Sequence, residues 1–358
     1  MTIYNLDTTK TRKPTVLVTG AGGFLGGTIV EALHFGDQYQ VRAGLARWLS
    51  APRVARLPIT LVQCNILKPD ELAMALANVD YVIHCAVGDH AVTVDGTRNL
   101  LTAAAKAKVK RLVHISTVSV YGDAPGDVVE TTVAPHGTLT DYGQMKLEAE
   151  RICLATDMDV VRLRPSIIYG PFAARWTMLY AQRLRAGWKH LGPLGLGKCN
   201  LIHAHDVTRF AIAALTQDGV AGDVFNVNGP EVVTWNEYFE RFAQALGLPP
   251  MQPQGQRRTE ISTRATGVVR SLGKYAMTHH RDALRWVAHK SDGLKQLMEQ
   301  TELSMRLTTN AQELALYRLD ARYLTDKANR VFGFQSSVDI DTGLRITARW
   351  LDHMGEAA

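Results

Sequence analysis

Thr15–Thr19 (TVLVT) is a continuous apolar run, the pattern of a strand covered on both faces of a parallel sheet. Glycines follow, and Phe24 to Phe35 reads as a helix. Gln40–Leu45 and Ile59–Cys64 read as strands, Asp70 to Ala77 as a helix, and Tyr81–Cys85 (YVIHC) as the next buried strand. Val94 to Ala107 is expected to be helical, Arg111–Ser116 (RLVHIS) extended, Tyr142 to Ala155 helical and Asp159–Arg164 (DVVRLR) extended. Strands alternating with helices at this spacing imply right-handed βαβ units and an α/β, doubly wound parallel sheet.

After Gly170-Pro171 the pattern loosens. Ile202 to Ala204 and Phe225–Val227 read as short strands, and Trp235 to Leu246 as a helix. A Pro/Gln-rich entry (LPPMQPQGQ) opens a segment with helical periodicity, from Leu248 to about Arg318. Asp326 to Leu351 returns to mixed helix and turn. The expected division is a Rossmann-type dinucleotide-binding domain over 14–170, its sheet completed by parts of 200–230. A smaller, mainly substrate-binding domain follows over 171–358, with a basic helical insertion at about 250–320.

Composition narrows the class. The 358 residues are 46% hydrophobic and 21% charged, which excludes a disordered chain. No run of about 18 uninterrupted apolar residues predicts a membrane span. Met1 to Pro14 is polar and reads as no secretory signal. The four cysteines, Cys64, Cys85, Cys153 and Cys199, are scattered, as reduced thiols in a cytoplasmic protein would be. The net charge is +6. Between Arg257 and Lys295 stand nine basic and three acidic residues, leaving thirty-one of each elsewhere. The excess therefore belongs to one segment. It suits a solvated helix, a cover for an anionic substrate, or a peripheral contact with an anionic membrane. No motif supports nucleic-acid binding.

Thr19-Gly20-Ala21-Gly22-Gly23-Phe24-Leu25-Gly26 lies between the first strand and first helix. Gly20 permits a tight turn, Gly23 lets backbone approach a pyrophosphate, and Gly26 lets the helix pack on the strand. The candidate contacts to a dinucleotide are thus Gly20, Gly23, Phe24, Leu25 and Gly26. Folds that prefer NAD place an acid at the end of the second strand to hold the ribose 2′-hydroxyl. Here Arg42 and Arg47 stand there, with no acid before Asp70. Arginine suits a 2′-phosphate, so NADP is favoured over NAD unless both are solvated charges. Asn65 and Ile66, after the third strand, are further candidate contacts, although Asn65 reads equally as a turn residue.

Tyr142 and Lys146 stand at i and i+4 of one predicted helix and share a face. A phenol of pKa near 10 is a poor base at neutral pH. A nearby ammonium and a positive nicotinamide favour its ionised form. Lys146 can also bond the nicotinamide ribose. Thr117, or Ser116, ends the preceding strand and can hydrogen-bond a substrate oxygen; Ser116 also counts among the candidate cofactor contacts. His203 and His205 flank a short strand without Cys or Glu at useful spacing, so no metal site is expected.

With these residues in place the chain resembles the extended short-chain dehydrogenase/reductases, the NAD-dependent epimerase/dehydratase group. The likeness spans about Thr15 to Gly247 and resumes over Asp326 to Trp350. It is carried by TGAGGFLG (Thr19–Gly26), VDYVIHCAV (Val79–Val87), VDGTRNLLTAA (Val94–Ala104), HISTVSVYG (His114–Gly122), YGQMK (Tyr142–Lys146), LRPSIIYGP (Leu163–Pro171) and GDVFNVNGPE (Gly222–Glu231). The resemblance implies that Thr117, Tyr142 and Lys146 are catalytic. It implies too that Ala86 and Val87 lie along the cofactor and that Pro165 and Ser166 approach the nicotinamide amide. Helices Val94–Ala107 and Tyr142–Ala155 form the dimer bundle in many relatives. A homodimer is thereby implied, with Leu100, Leu101, Leu147 and Ile152 open to interface or core duty.

Departures narrow the reaction. Sugar 4,6-dehydratases carry an acidic pair after the catalytic Thr, where this chain has Val118 and Ser119, so dehydration is disfavoured. An Asn that many sugar-nucleotide epimerases carry just before Tyr-Gly-Pro is Ile168 here, and the Asn usual before Val-x-Gly-Thr is Thr93. The expectation is an NAD(P)-dependent epimerase or oxidoreductase on a nucleotide sugar or related hydroxy/keto substrate. An NADP-dependent carbonyl reductase, like the hydroxysteroid dehydrogenases, is the alternative. A non-catalytic dinucleotide sensor is the rival from another class.

Overall fold

The computed structural model describes residues 12–252 and 309–355. The basic segment 257–295, and most of the insertion at 250–320, lie outside the described residues. Seven parallel strands make the central sheet: β1 (Thr15–Thr19), β2 (Gln40–Leu45), β3 (Thr60–Gln63), β4 (Tyr81–His84), β5 (Arg111–Ile115), then Val160–Pro165 and Val224–Val227. With Gly126–Val128 counted as β6, the last two are β7 and, after β8 (Ile167–Tyr169) and β9 (Lys198–His203), β10. The order across the sheet is β3-β2-β1-β4-β5-β7-β10. The expected fold class is the one observed.

All five residues of β1 are buried, as are all five of β5 and all six of β7. Helices cover both faces, which is why these strands are buried along their whole length rather than at alternate residues. On one face α1 (Phe24–Gly36) packs with the helix Ala204–Ala213; Ile29, Val30, Leu33, Val207 and Phe210 join the β-strand side chains there. The opposite face carries Pro69–Leu76, Gly96–Lys106 and Asp141–Leu154, with Leu72, Leu100, Leu101 and Cys153 inward. Leu100 and Leu101 are therefore core residues, whereas Leu147 and Ile152 are half-buried.

Strand order reverses between β1 and β4, whose C-terminal ends pair at Thr19 and His84. That crevice is where open α/β sheets bind ligands.

Past Tyr169 a second core forms around Tyr180, Trp235, Tyr238, Phe239, Phe242 and Tyr317. The short strands there were not expected from the sequence: β8, β11 (Val232–Thr234) and β12 (Ala321–Tyr323) each have three residues. The strand expected at 202–204 instead spans Lys198–His203, and a helix starts at Ala204. β12 runs parallel to β6, and the helix Asp326–Phe332 sets Ala328 and Phe332 into the main core. Among the described residues no helix is long and apolar enough to cross a membrane.

Candidate active site

The glycine loop closes the crevice by backbone contact. Gly20 has φ +67°, and a Cβ there would meet the Ala86 backbone nitrogen at 2.8 Å. The turn after β1 and the strand end at Ala86 thus touch, as two of the expected cofactor-contacting positions should. A Cβ on Gly26 would lie 2.3 Å from the Gly20 carbonyl oxygen, while one on Gly23 would come no closer than 3.3 Å to it. Gly23 is the open side of the loop. It is also the N-cap of α1, without a side-chain cap, and no acid stands in the first turn. The positive end of α1, at Phe24, Leu25 and Gly26, therefore keeps free donors for an anion. These are features a dinucleotide pyrophosphate fits.

Beyond β2 the two arginines part company. Arg42 donates to the carbonyls of Ala75 and Ala77, both at 2.8 Å, and so closes the C-terminus of Pro69–Leu76. This differs from the expectation of a cation available to a phosphate: helix carbonyls left without partners have taken the guanidinium. Arg47 is exposed and precedes the short turn Trp48–Ser50. Asn65 is a turn residue, its side chain accepting from the Leu67 N–H at 3.0 Å. Ile66 is buried, and a Cβ on Gly96 would strike its side chain. Val87 is 53% exposed beside the crevice.

Tyr142 and Lys146 lie on Asp141–Leu154, a helix capped by Thr140. Thr117 is the N-cap of the turn Val118–Tyr121, its hydroxyl accepting from the Ser119 N–H at 3.1 Å. The structure brings Thr117 and Tyr142 together. Although 41% of Tyr142 faces solvent, the enclosure of its ring raises the phenol's pKa, and the Thr117 hydroxyl lowers it less.

Lys146 is buried and donates to the Ile115 carbonyl at 2.6 Å, with His114 Nε2 at 3.4 Å. Burial brings its pKa down to about 8. His84, buried against Thr19 and Thr97, is brought down to about 3 by burial and by Lys146. The pKa of His114 falls for the same reasons, so Lys146 faces two neutral rings. The protein groups acting on the Tyr142 phenol thus differ from the expected one: in the chain alone Thr117, rather than Lys146, lowers its pKa.

A buried polar cluster backs this site, and sequence reasoning missed it. Glu150 stands eight residues after Tyr142, on the same helix face. It accepts from the Ser116 hydroxyl and from Arg164 at 2.9 and 2.6 Å. Arg164 also donates to the Tyr121 hydroxyl at 2.8 Å, and Tyr121 to Asn226 at 2.5 Å. Ser116 is therefore tied to Glu150, directly before Thr117. The i, i+4, i+8 spacing was the available signal. Pro165 ends β7, and Ser166 donates to Asn228 at 2.6 Å. His203 accepts the His205 N–H at Nδ1 and is brought down to about 4 by burial.

Residues 16–228 match the model of the NAD dependent epimerase/dehydratase family. A UDP-glucose 4-epimerase of Vibrio cholerae is 27% identical over 66% of this chain and 77% of its own. A 2-alkyl-3-oxoalkanoate reductase of Shewanella oneidensis is 26% identical over 74% of this chain and 73% of its own. Among solved structures, UDP-glucuronic acid 4-epimerase from Bacillus cereus, in complex with UDP-glucuronic acid and NAD, superposes with a TM-score of 0.69. It is 20% identical, over 95% of this chain and 99% of that one, a likeness of fold.

Proposed function

We propose, from the premise that this chain belongs to the NAD-dependent epimerase/dehydratase family, that it is an NAD(P)-dependent epimerase or oxidoreductase acting on a nucleotide sugar or related hydroxy/keto substrate. The observation that carries this reading is the meeting of Thr117 with Tyr142, Lys146 behind them, beside the free N-terminus of α1.

When bound, a nicotinamide dinucleotide supplies the hydride acceptor at C4. Tyr142 takes the proton from a substrate hydroxyl, and Thr117 holds the oxygen. Lys146 would hold the cofactor ribose, and the lowering of the phenol's pKa would fall to Thr117 and to the positive charge of the oxidised nicotinamide. In an epimerase the resulting ketone turns and is reduced on its other face, so no cofactor is consumed. A reductase runs the reverse, Tyr142 giving its proton to a ketone oxygen that Thr117 holds, and it consumes reduced cofactor. Val118 and Ser119 offer no acid for an elimination, which supports the exclusion of dehydration.

A carbonyl reductase is the second reading, favoured by Ile168 and Thr93 where sugar-nucleotide epimerases carry Asn. Absorbance of the nicotinamide, followed with candidate sugar nucleotides and hydrophobic ketones, separates the two. A sugar nucleotide isomerised without net cofactor change sinks the reductase reading. Stoichiometric consumption of NAD(P)H by a ketone sinks the epimerase.

NADP is favoured by Arg47 and by the lack of an acid after β2. A homodimer through Gly96–Lys106 and Asp141–Leu154 goes with the family reading; sedimentation as a monomer at micromolar concentration overturns it.

A further inference from the structure

Phe172 follows Tyr169-Gly170-Pro171 at the exit of β8 and has φ +70°, the left-handed region. A bulky side chain takes that conformation only where its surroundings force it. Burial is not the force, since the residue is 38% exposed and outside the core clusters. Its ring lies instead between two partners. The Arg53 guanidinium sits 3.9 Å from the ring centroid, and the Trp350 ring 4.9 Å away.

Each partner belongs to a different part of the molecule. Arg53 is fixed to α1 by four hydrogen bonds: to the Phe24 carbonyl at 2.9 Å, the Thr28 hydroxyl at 3.1 Å, and Glu31 at 3.0 and 2.6 Å. Gly27 makes room for it, since a Cβ there would stand 3.0 Å from its side chain. Three residues earlier, Ser50 presses on the glycine loop itself, its carbonyl oxygen 2.3 Å from a Cβ built on Gly22. Trp350 belongs to the C-terminal helix Ile340–His353, whose Gly343 admits the Tyr169 hydroxyl. A strained surface ring thus joins the helix that begins at the glycine loop to the element that covers β8.

We propose that Phe172 and Arg53 form a clasp beside the dinucleotide cleft, and that Phe172 is a positioning residue that slows departure of the bound cofactor. This rests on the reading that the chain binds NAD(P). It also deepens that reading, because an enzyme that returns a hydride to its own intermediate must keep its cofactor between the two half-reactions. Stacking of Arg on an aromatic face is strong enough for such a role, more so where the guanidinium is held in place.

The test uses the full chain loaded with NADH or NADPH alone and chased with excess oxidised cofactor, release being followed by nicotinamide fluorescence. Phe172→Asn removes the ring while tolerating the left-handed backbone; Phe172→Tyr keeps the ring. We expect at least tenfold faster release from Phe172→Asn, release within twofold of the parent from Phe172→Tyr, and an unaltered or higher Tm for the cofactor-free Asn variant. Release from Phe172→Asn within twofold of the parent overturns the clasp, as does equal acceleration in both variants. If the parent chain binds neither NADH nor NADPH, the dinucleotide reading falls and the clasp with it.

Discussion

Among the described residues two glutamates are buried against arginine, Glu150 and Glu313, and they are wired differently. Glu150–Arg164 joins the Tyr142 helix to β7, with side chains 2% and 9% exposed. Arg183–Glu313 sits inside the aromatic core beyond β8, with side chains 2% and 3% exposed. Desolvation costs both pairs alike, and each repays it only through additional hydrogen bonds. The first pair spends those bonds on Ser116 and Tyr121, the residues flanking Thr117 and its turn. In the second, among the described residues, Glu313 accepts the Asn310 N–H at 3.0 Å at the start of its own helix, and the guanidinium lies among rings, with Tyr180 and Trp188 at 5.3 and 4.9 Å. Burial is alike in both, although Glu150 also has the Arg162 guanidinium at 3.5 Å. What differs is whether the bonds end at the candidate site, and that should decide which pair governs turnover and which governs stability.

The largest effect expected is the reference for the comparison. Tyr142→Phe should lower turnover about 10³-fold, within the range for loss of a general acid–base group, with urea unfolding unchanged. If its activity survives, neither pair has a catalytic centre to serve.

Arg183→Ala should destabilise the fold by about 3–5 kcal/mol, since it strands the Glu313 charge in the aromatic core. Turnover per folded molecule, measured alongside the urea midpoint, should stay within twofold of the parent. A tenfold loss per folded molecule would erase the distinction between the two clusters.

Lys146 is a buried charge outside both pairs, and it carries a pH signature. Its pKa is depressed from 10.5 to about 8 by burial, so between those values the unfolded chain binds the proton and the folded chain does not. Stability therefore rises with pH from about 8 to 10.5, and below 8 the full penalty is present. Lys146→Met should stabilise the chain at pH 7 by up to about 3 kcal/mol while abolishing turnover. It should also flatten the stability rise between pH 8 and 10. Urea melts at pH 7 and pH 9 check both. A Met variant less stable than the parent at pH 7 contradicts the assignment.

Glu150→Gln keeps the shape and the Ser116 bond but removes the charge. Its kcat should fall about tenfold with KM within twofold, while Glu150→Asp recovers part of the loss. A change in the urea midpoint alone, with kcat intact, would place this pair in the same class as Arg183–Glu313.

The smallest effect lies at the far end of the cleft. Arg47→Asp should weaken NADP binding about tenfold and NAD binding less than twofold, read by titration of cofactor fluorescence. Arg42→Ala should alter neither ratio, because its guanidinium closes a helix.

The central sheet was legible because strands covered on both faces are predominantly apolar, as in TVLVT and YVIH, and recur between helical segments. Tyr142 and Lys146 were legible for a similar local reason, their shared helix face. β6, β8 and β11 escaped because three residues are too few to display a period of two. What surrounds the site was harder to read. Glu150 meets Ser116 and Arg164 only once the helix lies against β5 and β7, and Phe172 meets Arg53 across 119 positions of chain. Arg42 shows the converse. Its position at the second strand suggested a ligand, but the nearby helix end claimed it first.

The pairing of β12 with β6 has a consequence for how the chain must be made. Tyr121, which anchors the turn behind Thr117, is stacked at 5.9 Å on Tyr323, and Asp326–Phe332 completes the core against Phe225 and Phe210. The first half of the molecule therefore leaves the ribosome with an open seam beside its own chemistry. That seam closes only when residues some two hundred positions later have been synthesised. A nascent chain halted before Ala321 would present the glycine loop, Thr117, Tyr142 and Lys146 together, yet lack the strand that braces them.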